Sequence, residues 1–298
     1  MKVVIAGGTG FLGRALTAAL RAQGHDLLLL TRSGGGGDVP ALKWSPDGRA
    51  GEWAESIDGA GALVNLAGES IGAGRWTDDR RRAIRDSRVL ATRSLVEACR
   101  RARRPPAVFL SGSGQGYYGD RGDEVLTEAS APGTDFLARV CVEWEGEARP
   151  ASALTRLVVL RTALVLDRDE GALPRMVQPF RLLAGGPLGS GRQFVSWIHL
   201  DDWVGLAAMA IADERVEGAV NAGSPVPVRN AEFARAIGKA LGRPSWIRTP
   251  APALRAVLGE MADGLLLASQ RMAPERALGL GYTFRHPEAG PALAGLLG

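Results

Sequence analysis

Short apolar runs alternate with longer stretches of helical period through the first two thirds of the chain. Val3-Val4-Ile5 leads to a helix predicted over Phe11 to Gln23 and then to a second run, Leu27 to Leu30. The alternation continues with Ala62 to Leu66, a helix over about Asp78 to Arg103, and Ala107 to Leu110. A helix through Val140 to Ala151 and a further run, Leu157 to Leu160, complete it. Strand followed by helix, repeated, is the pattern of a parallel sheet covered on both faces, so the expected fold class is α/β.

Beyond Asp201 the strands thin out, and Ser224-Pro225-Val226-Pro227 and Thr249-Pro250-Ala251-Pro252 interrupt helical stretches. This predicts a nucleotide-binding domain over 1–200, with part of a substrate lobe in 167–200. A smaller, mainly helical substrate-side region follows over 201–298.

The strongest chemical signal sits between the first strand and the first helix, in Gly7-Gly8-Thr9-Gly10-Phe11-Leu12-Gly13. Gly7 allows the tight bend, Gly10 lets the main chain approach a pyrophosphate, and Gly13 lets the helix pack closely on the strand. The helix N-terminus then faces the anion with free N–H groups and the positive end of its dipole. With a second strand at the right distance, the turn predicts a Rossmann-type doubly wound sheet that binds a dinucleotide through Gly7, Thr9, Gly10, Phe11, Leu12 and Gly13.

The second strand ends in Thr31-Arg32-Ser33, where an NAD site usually has an acid for the ribose hydroxyls. A guanidinium there suits a 2′-phosphate, so Thr31 and Arg32 point to NADP(H), against the plainer reading of Arg32 as a solvated loop residue.

Composition narrows the partners. The net charge of +4 comes from arginines scattered along the helices, with no recognisable nucleic-acid module, and reads as solvated helix faces. Neither nucleic acid nor membrane is expected as a partner, because no apolar stretch approaches bilayer length. Cys99 and Cys141 are far apart and form no CxxC pair, so buried reduced thiols are expected. The start of the chain lacks a signal-peptide pattern, which makes the cytoplasm the expected compartment. His199 stands beside Asp201 and Asp202 but lacks a third ligand at metal-site spacing, and no metal is expected.

Further segments carry a family resemblance. They are Asn65-Leu66-Ala67-Gly68, Ser111-Gly112-Ser113, Tyr117-Tyr118-Gly119 and Trp197-Ile198-His199-Leu200-Asp201-Asp202. Joined to the glycine turn, they resemble the extended short-chain dehydrogenase/reductases, the NAD-dependent epimerase/dehydratase group. Glu69, Arg75-Trp76-Thr77, Leu182 to Gly191, Arg229 to Phe233, Leu258 to Met261 and Ser269-Gln270-Arg271 narrow the likeness. They resemble a subgroup labelled nucleoside-diphosphate-sugar epimerases, with a C-terminal extension of unknown function.

That resemblance implies that Leu66, Ala67 and Gly68 line the adenosine side of the cofactor and that Ser111 lies close to it. Arg88 either reaches the cofactor phosphates or faces outward from its helix. Val165 is either a wall of the nicotinamide pocket or a core valine. The resemblance also implies a catalytic tyrosine with a lysine four residues later, the lysine's charge lowering the phenol pKa. Phe136 and Val140 occupy those positions here, and neither transfers a proton.

Ser113 and the pair Tyr117-Tyr118 remain as catalytic candidates, against the alternative that they pack the loop over the cofactor. The expected activity is an NADP(H)-dependent oxidoreductase acting on a small carbonyl or hydroxyl substrate. Nucleotide-sugar epimerisation and a non-catalytic NADP(H) sensor are the alternatives. Arg229-Asn230 and Gln270-Arg271, both read as helical, either bind an anionic substrate or cap helices and hold the lobe.

Overall fold

Val3, Val4, Ile5 and Ala6 are all completely buried, on both faces of one strand, which requires packing layers above and below it. In the computed structural model, which describes residues 1–298, seven parallel strands provide that sheet. They are β1 (Lys2–Ala6), β2 (Asp26–Thr31), β3 (Ala41–Lys43), β4 (Ala62–Asn65), β5 (Val108–Gly114), β6 (Arg156–Thr162) and β7 (Gly218–Ala222). Their spatial order is β7-β6-β5-β4-β1-β2-β3. The order reverses between β1 and β4, and in open α/β sheets ligands bind at the carboxyl ends of the strands at that switch point. Ala6 pairs with Asn65 and Leu30, and Asn65 with Ser111, so the carboxyl ends of β1, β2 and β4 lie together, with β5 running on to Gly114 beside them.

Helices cover both faces. α1 (Phe11–Ala22) supplies Leu16 and Leu20 to the core under one face, and α2 (Asp78–Arg101) supplies Ala91, Leu95 and Val96 under the other. α2 starts where Thr77 accepts the Arg80 amide, with Asp78 and Asp79 in the first turn and Arg100 and Arg101 in the last, all matching the helix dipole. α3 (Phe136–Ala148) starts earlier than its apolar period suggests, because Asp135 caps it by accepting the Ala138 amide at 2.8 Å.

The remaining helices used below are α4 (Leu173–Arg181), α5 (Leu200–Ala212) and α6 (Asn230–Leu241). α5 packs Trp203, Leu206 and Ala207 into the same core as α1, and β7 closes the sheet beyond it. The expected division at residue 200 therefore cuts across the sheet. Phe233 and Ile237 of α6 form a separate small core with Phe180 of α4 and with Leu293, close to the chain's end.

Candidate functional site

In the turn after β1, Gly7 and Gly13 have no room for side chains. Gly7 has φ +81°, and a Cβ on it would lie 2.5 Å from the Leu66 carbonyl carbon. A Cβ on Gly13 would strike the Gly7 oxygen and the Gly8 Cα. Gly10 is the N-cap of α1 and no side chain caps the helix, which leaves the amides of Phe11, Leu12 and Gly13 to face a ligand. This arrangement fits a pyrophosphate. Thr9 is exposed in the turn, its carbonyl accepts from Arg14, and Arg14 pairs in turn with Glu170. Phe11 lies against Gly171, so the segment after β6 forms one wall.

The loop after β4 forms the other wall and is held by the buried Asn65. Asn65 Nδ2 donates to Thr92 Oγ1 at 2.9 Å, and Asn65 Oδ1 accepts the Ala67 amide at 3.2 Å. Leu66 and Ala67 are half-buried and Gly68 is exposed.

At the end of β2, Thr31 is buried with its hydroxyl unpartnered, while the Arg32 side chain is 78% exposed. Arg32 meets Glu69 loosely, at 3.4 Å, and Arg80 approaches the same carboxylate at 3.5 Å. Two cations thus share one acid, and Glu69 and Arg80 enter the site although only Arg32 was legible by position.

Arg88 is partly buried, and its guanidinium is engaged by the protein's own backbone. Its guanidinium donates to the carbonyls of Ile84 (2.9 Å) and Glu69 (3.0 Å) and lies 5.3 Å from the Trp144 ring, clamping the loop from behind. Val165 is buried on a short strand, Leu164–Leu166, paired with Trp197–His199. Ser111 is buried in β5.

Ser113, Tyr117 and Tyr118 are brought together by a network the sequence did not announce. Ser113 Oγ donates to Glu145 Oε1 at 2.7 Å, and Arg161 binds both oxygens of Glu145 at 2.9 Å. Arg161 Nη1 also donates to the Tyr118 hydroxyl at 3.0 Å, and Tyr118 donates to Asn221 Oδ1 at 2.6 Å. Burial works against the Arg161 charge, but the bonds to Glu145 and Tyr118 outweigh it and raise its pKa.

Tyr118 is completely buried, and burial pushes its phenol up to about 12. Its proton and its lone pair are both committed, so it stands as a core strut and not as an accessible proton donor. Tyr117 is half-buried and lies outside that hydrogen-bonded chain, with the Arg161 guanidinium carbon 3.5 Å from its ring centroid. Because the Ser113 proton goes to Glu145, its oxygen is left to accept a hydrogen bond from a substrate hydroxyl.

Phe136 begins α3 and meets Trp76 edge to face, with ring centroids 5.1 Å apart. Trp76 is fixed by donating Nε1 to the Ile71 carbonyl at 2.9 Å. Both rings share one apolar cluster with Met261 and Leu265 from the C-terminal region. Val140 is buried behind them.

The His199-Leu200-Asp201-Asp202 turn docks the end of the chain. Asp202 is completely buried and accepts the amides of Arg285 (2.7 Å) and His286 (2.9 Å). Arg229 is paired with Asp123 at 2.6 and 3.0 Å, tying α6 to the loop after Tyr118. Gln270 and Arg271 are not helical, because Arg271–Met272 pairs as a parallel strand with Val125–Leu126. Cys99 and Cys141 are buried and free, their thiols pushed by burial up to about 12 and about 11. No helix is long and apolar enough to cross a membrane.

Residues 3–223 match the model of the NAD dependent epimerase/dehydratase family, and residues 249–296 match a domain of unknown function, DUF1731. The chain is 39% identical over 306 residues to the chloroplastic epimerase family protein SDR39U1 homolog of Arabidopsis thaliana, covering 100% of this chain and 87% of that protein. It is 39% identical over 296 residues to the epimerase family protein SDR39U1 of Homo sapiens, covering 98% of each. The crystal structure of human epimerase family protein SDR39U1 (isoform 2) with NADPH superposes with a TM-score of 0.91 at 37% identity, covering 100% of this chain and 99% of that one.

Proposed function

The chain belongs to the NAD-dependent epimerase/dehydratase family, and on that footing we propose that it is an NADP(H)-dependent oxidoreductase for a small carbonyl or hydroxyl compound. The amides of Phe11, Leu12 and Gly13 hold the pyrophosphate, and Arg32, with Arg80 behind it, takes the 2′-phosphate. Leu66, Ala67, Gly68, Ser111 and Val165 line the rest of the cofactor. The NADPH-bound relative and the uncapped glycine turn support this assignment. Bound NADPH supplies the hydride.

Proton transfer falls to Tyr117, and the observation that carries this is Arg161 at 3.5 Å from its ring. A cation held there by Glu145 lies on the ring face of the one tyrosine of the pair whose hydroxyl stands outside the buried hydrogen-bonded chain. Ser113 accepts a hydrogen bond from the substrate hydroxyl.

Incubation with NADPH and a panel of aldehydes and ketones tests the reading. Turnover is expected, and Tyr117→Phe is expected to lower kcat by about 100-fold or more. Unchanged turnover in that variant overturns the role of Tyr117. Sugar conversion with NADPH returned intact makes the chain an epimerase. A second reading, a cofactor-responsive sensor, is favoured by the sealing of Phe136 under Trp76 and Met261. It predicts NADPH-dependent protection from proteolysis with no turnover. We place the protein in the cytoplasm, which the two free thiols support; fractionation of the source cells checks it.

A further inference from the structure

Outside the residues assigned to the dinucleotide, one cluster of side chains has metal-ligand chemistry and draws its members from separate parts of the chain. His199 and Asp201 lie at the start of α5, and His286 is delivered by the C-terminal region. Asp201 Oδ2 is 3.6 Å from His199 Nδ1 and 3.4 Å from His286 Nε2, and the three ligand atoms all lie within 4.8 Å of one another. A tetrahedral ion with bonds of about 2.0–2.2 Å separates its ligand atoms by roughly 3.3–3.6 Å. The two edges that include Asp201 already have that length.

We propose that His199, Asp201 and His286 bind one divalent ion of the zinc class, with water in the fourth position, and that this ion fastens the C-terminal region to the sheet.

The surroundings favour a cation. Asp201, Asp202 and Asp167 all lie near enough to His199 to act on its charge, and Arg285 is a cation on the docked segment. His286 is placed in advance, because Asp202 grips its backbone amide at 2.9 Å. Asp201 is half exposed, which gives the ion and its water an entrance.

Two features oppose the ion and set the expected strength. His199 Nδ1 accepts the Asp201 amide at 3.1 Å, and a metal takes that lone pair from the helix cap. The two imidazoles are stacked, 3.8 Å between centroids and 26° between planes, so His286 must tilt before an ion lies in the plane of both rings. One third of the His286 side chain is exposed, which leaves room for that rotation. Micromolar affinity is expected, in contrast to the much tighter binding of closed four-ligand sites.

The test uses the full chain after chelator treatment. Zn²⁺ is followed by calorimetry and Co²⁺ by the visible ligand-field bands of tetrahedral cobalt, in wild type, His286→Gln and Asp201→Asn, each checked for native circular dichroism. Expected are one ion per chain, cobalt bands, a raised Tm with Zn²⁺, and affinity at least about tenfold weaker in both variants. Absence of stoichiometric binding, or equal binding in wild type and His286→Gln, overturns the proposal. Release of the C-terminal segment by acid, with no response to Zn²⁺, also overturns it and leaves a proton-sensitive histidine pair.

Discussion

Phe136 stands where the family's proton-transferring tyrosine is expected, and Trp76 lies against it edge to face at 5.1 Å. The missing hydroxyl is therefore replaced by an apolar seal. Rebuilding the pair as Phe136→Tyr with Val140→Lys is expected to add no turnover. It is also expected to lower stability by about 3 kcal/mol, since the lysine enters a buried site without an acid. Urea unfolding and NADPH oxidation by the double variant measure both effects. Trp76→Ala, which empties the seal, is expected to cost a similar ~3–5 kcal/mol.

Glu145 is the only carboxylate that pairs with the buried Arg161. Glu145→Ala leaves that charge uncompensated and is expected to cost about 3–5 kcal/mol, whereas removing both partners as Glu145→Leu with Arg161→Met is milder. Comparing the double variant with the single ones by denaturant titration distinguishes a buried pair from a surface one.

Tyr118 sets an alkaline limit on stability. Its phenol is pushed from the ordinary value near 10 up to about 12 by burial. The folded state therefore holds this proton more tightly than the unfolded chain does. That contribution is complete below about pH 10 and is lost as pH rises towards 12, amounting to about 2–3 kcal/mol. Tyr282, raised by burial beside Asp202, acts with the same sign. Urea midpoints between pH 8 and 11 are expected to fall in wild type and to fall less steeply in Tyr118→Phe.

Cofactor choice rests on the Arg32, Glu69 and Arg80 group. Arg32→Ala is expected to weaken NADPH binding by about 10- to 100-fold, the worth of a charge-assisted hydrogen bond, and NADH binding little. Glu69→Gln releases both arginines and is expected to tighten NADPH. Fluorescence titrations of the two dinucleotides against each variant give the ratio directly.

How much of this was readable in sequence depends on the distance over which each feature is encoded. The glycine turn was legible because the positive φ of Gly7 and the packing of Gly13 against Gly7 and Gly8 are local backbone matters, and the alternating runs foretold the parallel sheet. Tyr117 and Tyr118 looked equivalent as neighbours, but a 3₁₀ turn over Gln115–Tyr118 sends one into the core and leaves the other half-buried. The contacts of Glu145 with Arg161, Trp76 with Phe136 and His199 with His286 join distant segments, and no spacing rule anticipates them. Arg88 also has a partner in the loop after β4, the Glu69 carbonyl, which its place on the helix does not indicate.

The grip of Asp202 on the amides of Arg285 and His286 also bears on the order of events in a growing chain. Synthesis delivers the strands of the sheet first, yet this buried carboxylate has no amide partners until residue 286 has left the ribosome. The seat of α5 is thus completed by a segment made well after the last strand of the sheet, and a nascent chain that stalls short of it exposes an unsettled domain to chaperones and proteases.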